Sequence, residues 1–311
     1  MLLKKSLPLI LCTSLCPCMS AYAQDTALIP NFYGRVNVTP VLNNPRIGGS
    51  SGDMLSNASR LGLEGDVPLS DAIKVVYQAE YQINPGDERF DHFSMSQRNT
   101  FIGLEGGFGT VVVGRNDTPG KRIQNGVDLF NDLEGDIRTL FVSELRPNGE
   151  IFYTSPTVSG FTVMYTAIMD GQNGLRDRLT KSTSSSLTYG QGAFLYGVSV
   201  DNNMEGHDSF RFMSRYKEGN LQLGLIYESA QNSRGDNDGI FVSASYKIDK
   251  LVLKAQTGAA DQKRAGGAQS TIGADYNLDE NSRVFAYVTA ITADNPAAQR
   301  DQYGLGFEYN F

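Results

Sequence analysis

The chain has 311 residues, with 34 acidic and 27 basic side chains for a net charge of −7, and it contains no Trp. An acidic balance argues against nucleic-acid partners, which select a basic face. Beyond the N-terminus no run reaches the about 18 to 20 apolar residues of a membrane helix, although a barrel strand shows lipid only at every second residue and escapes that test.

Met1 to Ala23 carries a basic start (Lys4, Lys5), an apolar middle and an Ala21-Tyr22-Ala23 ending, which reads as a secretory signal cleaved after Ala23. Cys12, Cys16 and Cys18 all lie in it, so the mature chain has no cysteine and its export relies on no disulfide. A lipid-anchored cysteine is the competing reading, but Leu, Leu and Pro precede the three, where such sites want a small residue.

From residue 32 onward the sequence alternates apolar and polar with the period of a strand. Phe32 to Thr39 is the first such run, and a Gly/Asn/Ser loop follows it. Ala58 to Val67 comes next, and a turn at Pro68 to Asp71 leads to the cleanest run, Ile73, Val75, Tyr77, Ala79, Tyr81 and Ile83 alternating with polar residues. Arg98 to Gly106 and Thr110 to Arg115 continue the pattern; counting back from Phe101 and Leu104 gives no single phase at Arg98, which a bulge explains.

The rhythm then stops from Asn116 to Gly149. A connection this long inside a β protein is usually functional. It carries Asp117, Asp128, Asp132, Glu134, Asp136 and Glu144 against Lys121, Arg122, Arg138 and Arg146. These features predict a loop that folds inward and narrows an aqueous channel, with a helical turn or two within Val127 to Phe141.

Strands resume at Glu150 to Ser155 and Phe161 to Met169. Hairpins then follow through Ser182 to Tyr189, Phe194 to Asp201, Ser209 to Lys217, Leu221 to Ala230, Ile240 to Ile248, Leu251 to Ala259, Ser270 to Leu278, Arg283 to Thr292 and Gln302 to Phe311. Short turns such as Glu218-Gly219 alternate with longer polar connections such as Gly171 to Lys181, Asn232 to Asp238 and Asp261 to Gly267. Short turns on one rim and long loops on the other is the arrangement of an outer-membrane barrel, here of about sixteen strands; a sandwich has no reason to alternate so regularly.

The chain closes on Tyr303, Leu305, Phe307, Tyr309 and Phe311, alternating up to a terminal aromatic carboxylate. With Phe32-Tyr33-Gly34-Arg35, Ser59-Arg60-Leu61-Gly62-Leu63-Glu64-Gly65, Phe101-Ile102-Gly103-Leu104-Glu105-Gly106-Gly107-Phe108-Gly109, Val113-Gly114-Arg115 and Tyr153-Thr154-Ser155-Pro156, it resembles the general trimeric porins of Gram-negative outer membranes over the whole mature chain.

That resemblance implies an all-β, sixteen-stranded antiparallel barrel, a homotrimer in outer-membrane lipid, with residues 24–311 as the barrel and 116–149 as its constriction loop. It implies passive diffusion of ions and small hydrophilic solutes through an eyelet. Tyr309 and Phe311 fall where the barrel-assembly machinery recognises the last strand. Asp128, Asp132 and Asp136, with Glu134 between them, sit where the family's loop acids lie, although Asn131 to Asp136 departs from the common Pro-Glu-Phe-Gly-Gly pattern. Arg35, Arg60, Arg98 and Arg146 match the facing basic wall, and lumen-face periodicity adds Lys74. Net acidity leans toward cations, whereas the arginines pull the other way.

Other signals carry less. Gly103 to Gly109 lacks the Lys-Ser/Thr and the helix of a phosphate loop. Asp236-Asn237-Asp238-Gly239 is a calcium-loop fragment without its downstream Glu and reads as a hairpin turn, with weak divalent binding in an external loop as the alternative. His92 and His207 fall in expected loops without ligand partners, and no nucleophile motif occurs. No metal, cofactor or catalysis is expected. The rivals are a substrate-selective channel on the same barrel, a soluble ligand-binding β-sandwich and an outer-membrane enzyme.

Overall fold

The computed structural model describes residues 30–84, 94–169, 181–233 and 235–311, so the expected signal segment and His92 lie outside the described residues. Among them, seventeen strand segments form one antiparallel sheet. The first nine are β1 (Asn31–Pro45), β2 (Ser51–Ser56), β3 (Arg60–Pro68), β4 (Ile73–Asn84), β5 (Ser94–Gly106), β6 (Gly109–Arg115), β7 (Glu150–Thr154), β8 (Phe161–Ile168) and β9 (Thr183–Gln191). The others are β10 (Phe194–Met204), β11 (His207–Glu218), β12 (Leu221–Asn232), β13 (Gly235–Ile248), β14 (Leu251–Ala260), β15 (Ala268–Asn277), β16 (Ser282–Thr292) and β17 (Arg300–Asn310).

Apart from β2 and β3, each segment pairs with its neighbour in sequence, and β17 returns to β1 from Arg35↔Asn310 to Pro45↔Arg300, closing a barrel. β2 and β3 share one place in it: β2 pairs with Val38 to Asn43 of β1, and β3 with Asn31 to Arg35. The barrel therefore has sixteen staves, one broken at Ala58, whose φ is 52°. Buried polar residues fill the break, where Asn57 Nδ2 donates to Thr39 Oγ1 at 2.7 Å.

The alternation sorts two solvents. Leu61, Ile102, Ile272, Leu305 and Phe307 stand exposed on the outside, whereas Asn37, Gln256, Thr271 and Gln302 are buried on the inside, as a lipid-facing wall around water requires. Aromatic pairs gather near the short-turn rim, including Phe161 with Tyr189 (ring centroids 4.4 Å apart) and Tyr309 with Phe311 (6.0 Å).

Three local expectations change and a fourth is met. Ser51 to Ser56 is a strand despite its Gly/Ser composition, because β1 runs through Pro40 and supplies a partner edge. The Asn232 to Asp238 connection shrinks to a tight turn, with Asn232 paired to Gly235, which places Asp236, Asn237 and Asp238 in β13. His207 opens β11, paired with Met204, and lies in no loop. At Arg98 the bulge is present: Ala79 pairs with Thr100 and Tyr81 with Gln97, so Glu80 faces two residues.

Candidate functional site

The segment between β6 and β7 turns into the barrel. It begins with α1 (Pro119–Arg122), capped by the Thr118 side chain, which accepts from Lys121 N, with Pro in the first helical turn. Gly120 lies so close to Asp201 on β10 that a Cβ would stand 2.9 Å from its carboxylate, so a larger residue there would have to push that carboxylate aside. A short 3-10 turn over Ile137–Thr139 follows, with Asp136 accepting from Arg138 N.

One face of this loop is apolar and finds an apolar strip on the wall. Ile123, Val127, Ile137, Leu140 and Phe141 form one buried cluster with Met213, Ile226 and Phe241 from β11, β12 and β13. Phe130 and Leu133 form a second with Phe285 and Tyr287 of β16. The hydrophobic core thus lies between loop and wall, inside the barrel.

Polar ties complete the seam. Asp128 accepts from Phe130 N, Ile137 N and Gln256 Nε2, each at 3.0 Å. Gln256 and Gln269 both donate to Gly135 O, and Lys254 Nζ donates to Leu129 O at 3.0 Å.

The opposite face lines an opening of about 510 Å³, bordered among the described residues by six bases (Arg60, Arg98, Arg115, Lys121, Arg138, Arg146) and five acids (Asp117, Asp132, Asp136, Glu144, Glu205). Asp132 Oδ2 meets Arg35 Nη2 at 2.5 Å. From there opposite charges alternate along the wall: Arg35 to Glu308 (3.8 Å), Glu308 to Arg283 (3.1 Å), Arg283 to Asp275 (2.7 Å) and Asp275 to Lys254 (2.8 Å). This chain crosses β1, β17, β16, β15 and β14, and both its ends touch the loop. On the other side Glu80 holds Arg98 at 2.7 Å and Arg60 at 3.5 Å. Asp117 holds Arg146 at 2.9 Å and Lys121 at 3.0 Å.

The four acids expected in the opening part company. Asp132 lines it. Asp136 borders it, but its oxygens are taken by the backbone N–H groups of Asp132 and Arg138. Asp128 faces the seam. Glu134 pairs with Arg300 on β17. Among the bases, Arg60 and Arg98 stand on the wall at the opening, and Arg35 lies behind Asp132. Arg146 is on the loop's returning limb, beside Asp117. Lys74 sits at the short-turn rim, 3.0 Å from Glu105. Sequence reasoning named Lys121 and Arg138 among the loop charges and missed Arg115, Glu80 and Glu205 as lining or pairing residues. The bulge found at Arg98 was the signal for Glu80.

Burial alone would raise the carboxyl of Asp132, but Arg35 and then Arg98 more than offset it and hold it below the usual carboxylate range. Asp117 behaves alike: burial raises it, and Lys121 and Arg146 bring it below.

A sequence model of the Gram-negative porin family matches residues 10–311. The chain belongs to the Gram-negative porins. A relative, the major outer membrane protein P.IA of Neisseria meningitidis serogroup B, is 24% identical over 300 residues, spanning 89% of this chain and 72% of that protein. The anion-selective porin from Comamonas acidovorans shares the fold with a TM-score of 0.75 at 17% identity, over 91% of this chain and 99% of that one. The trimer form of OmpT, an in-vitro folded outer membrane protein of Vibrio cholerae, does so with a TM-score of 0.66 at 16% identity, over 91% and 99%. As a porin, the protein forms a water-filled channel across the outer membrane for passive diffusion of ions and small hydrophilic solutes, a channel rather than an enzyme.

Proposed function

We propose that residues 116–149 form the eyelet of this porin and that the eyelet favours small anions. The observation that carries this reading is the imbalance at the opening, where among the described residues six bases meet five acids. Two of the acids find a base of their own off the opening, Asp132 in Arg35 and Glu144 in Arg211, whereas Arg60 and Arg98 share the one acid Glu80. Among the described residues Arg115 donates to the neutral Asn148 Oδ1 at 2.8 Å, and Arg138, 3.6 Å from Asp136, keeps its side chain 61% exposed. In a narrow aqueous passage with walls of low dielectric, that excess raises the local concentration of anions. The opposed charges also order water and dipolar solutes, so an apolar molecule must displace bound water to pass.

Three further assignments belong to the same reading. Met1 to Ala23 is a cleaved export signal, and residues 24–311 are the barrel. The protein is a homotrimer in outer-membrane lipid, as the OmpT trimer form suggests by its shared fold. Tyr309 and Phe311 are the mark read by the barrel-assembly machinery; Phe311 bonds to Gly34 in both directions, at 2.8 and 3.0 Å, so recognition of this end coincides with barrel closure.

Planar-bilayer recording in a salt gradient tests the reading. Stepwise conductance with a reversal potential of anionic sign, closing in three steps, is expected. A cationic sign would overturn the selectivity, and an absence of steps from folded protein would overturn the channel.

A further inference from the structure

Arg211 is 0% exposed, on β11, across the barrel from Arg60 and Arg98. Its Nε donates to Glu228 Oε2 at 2.5 Å, and its Nη1 donates to Glu144 Oε1 at 2.7 Å and to Gly120 O at 3.0 Å. Its guanidinium stands over the Phe141 ring, 5.6 Å from the centroid. Glu228, equally buried, accepts from Val142 N at 3.0 Å and Ser143 N at 3.4 Å.

Gly120 belongs to the outgoing limb of the loop, and Phe141 to Glu144 to the returning limb. One side chain with its partner therefore grips both limbs where they leave the wall. Burying an arginine with two carboxylates gains little stability over apolar packing of the same volume, because desolvation consumes most of the attraction. What such a group does supply is fixed geometry, since the planar fork bonds in several set directions at once. The geometry transmitted here is that of the opening: Glu144 borders it, and Asp117 and Arg146, three residues before Gly120 and two after Glu144, border it as well.

We propose that Arg211 is the positioning residue of the eyelet, fixing its aperture by clamping both limbs of the loop to β11 and β12. This rests on reading residues 116–149 as the eyelet. The apolar seam holds the body of the loop, and the arginine fixes its root, so the lining charges keep one arrangement while solutes pass.

The test is single-channel recording of Arg211→Met and Arg211→Lys beside the unaltered protein, with thermal unfolding of the same preparations. Lysine keeps the charge but lacks the fork, so it holds one limb at a time. Both variants are expected to show sub-conductance states and at least about twofold more open-channel noise, Met more than Lys, with a changed anion-to-cation permeability ratio. If Arg211→Met fails to fold, Arg211→Lys alone carries the expectation. Quiet channels of unaltered conductance and selectivity in the folded variants would overturn the proposal, and so would noise that merely follows a lowered unfolding temperature. An unaltered protein that shows no conductance would refute the eyelet reading instead.

Discussion

Asp132 and Arg35 meet at 2.5 Å across the gap between the inner loop and β1, each cancelling the other's charge at the edge of the opening. Asp132 has φ 67°, a left-handed conformation that Asn also tolerates, so Asp132→Asn removes the charge without straining the backbone. The substitution is expected to free Arg35 and move the reversal potential further toward anions. An unchanged value would mean that this pair lies outside the ion path.

The same pair sets a pH dependence. Asp132 is held below its ordinary range, so the stability and charge balance it supplies are complete above that range and are lost only as pH falls through its lowered value. Selectivity measured from pH 8 to pH 5 should therefore change little on account of Asp132. It should drift toward anions below about pH 4, where ordinary carboxylates titrate.

Arg115 and Arg146 make the complementary case. Arg115→Gln and Arg146→Gln each remove a base from the lining and should shift the reversal potential toward cations. Arg146→Gln also leaves Asp117 with Lys121 as its remaining ion-pair partner, so its shift should be the larger. Equal permeability ratios in the variants and the unaltered channel would contradict the anion preference.

Asp128 is expected to matter for docking and to leave selectivity alone. Asp128→Asn replaces an acceptor by an NH2 group facing one of three N–H donors, which leaves a buried donor unmet at a cost of about 1 to 3 kcal/mol. Thermal unfolding should show that loss while the reversal potential stays near its original value; a large selectivity shift would place Asp128 in the ion path after all.

Phe241→Ala empties the centre of the apolar seam. Cavities of that kind cost about 3 to 5 kcal/mol. Because Phe241 points inward, against the loop, added channel noise should accompany the loss, whereas truncating outward Ile240 to Ala should leave the current steady.

Much of this molecule was legible from period two alone. The strands, the rims and the odd inner loop follow from it, because each stave separates lipid from water residue by residue. The seam was harder to see, since Ile226 beside Leu225 and Phe241 between Ile240 and Val242 put apolar groups on both faces and read as noise in the alternation. They mark the staves that bear the loop. Family resemblance located the loop acids but could not aim them: Asp128 and Asp132 are four residues apart, and the turn between them sends one to the wall and the other to the opening. Nothing in the alternation sets Glu228 and Arg211 apart from other lumen polars, and the loop folded upon them gives them a role.

Placing the apolar core between loop and wall separates two assembly problems. The outer face needs lipid to become stable, but Phe130, Ile137, Phe141 and their partners on the wall need only water to be expelled from each other. Their docking can therefore come after the barrel has closed and entered the membrane. The channel would then be inserted wide and narrowed from within, by the same kind of event that completes the folding of a soluble protein.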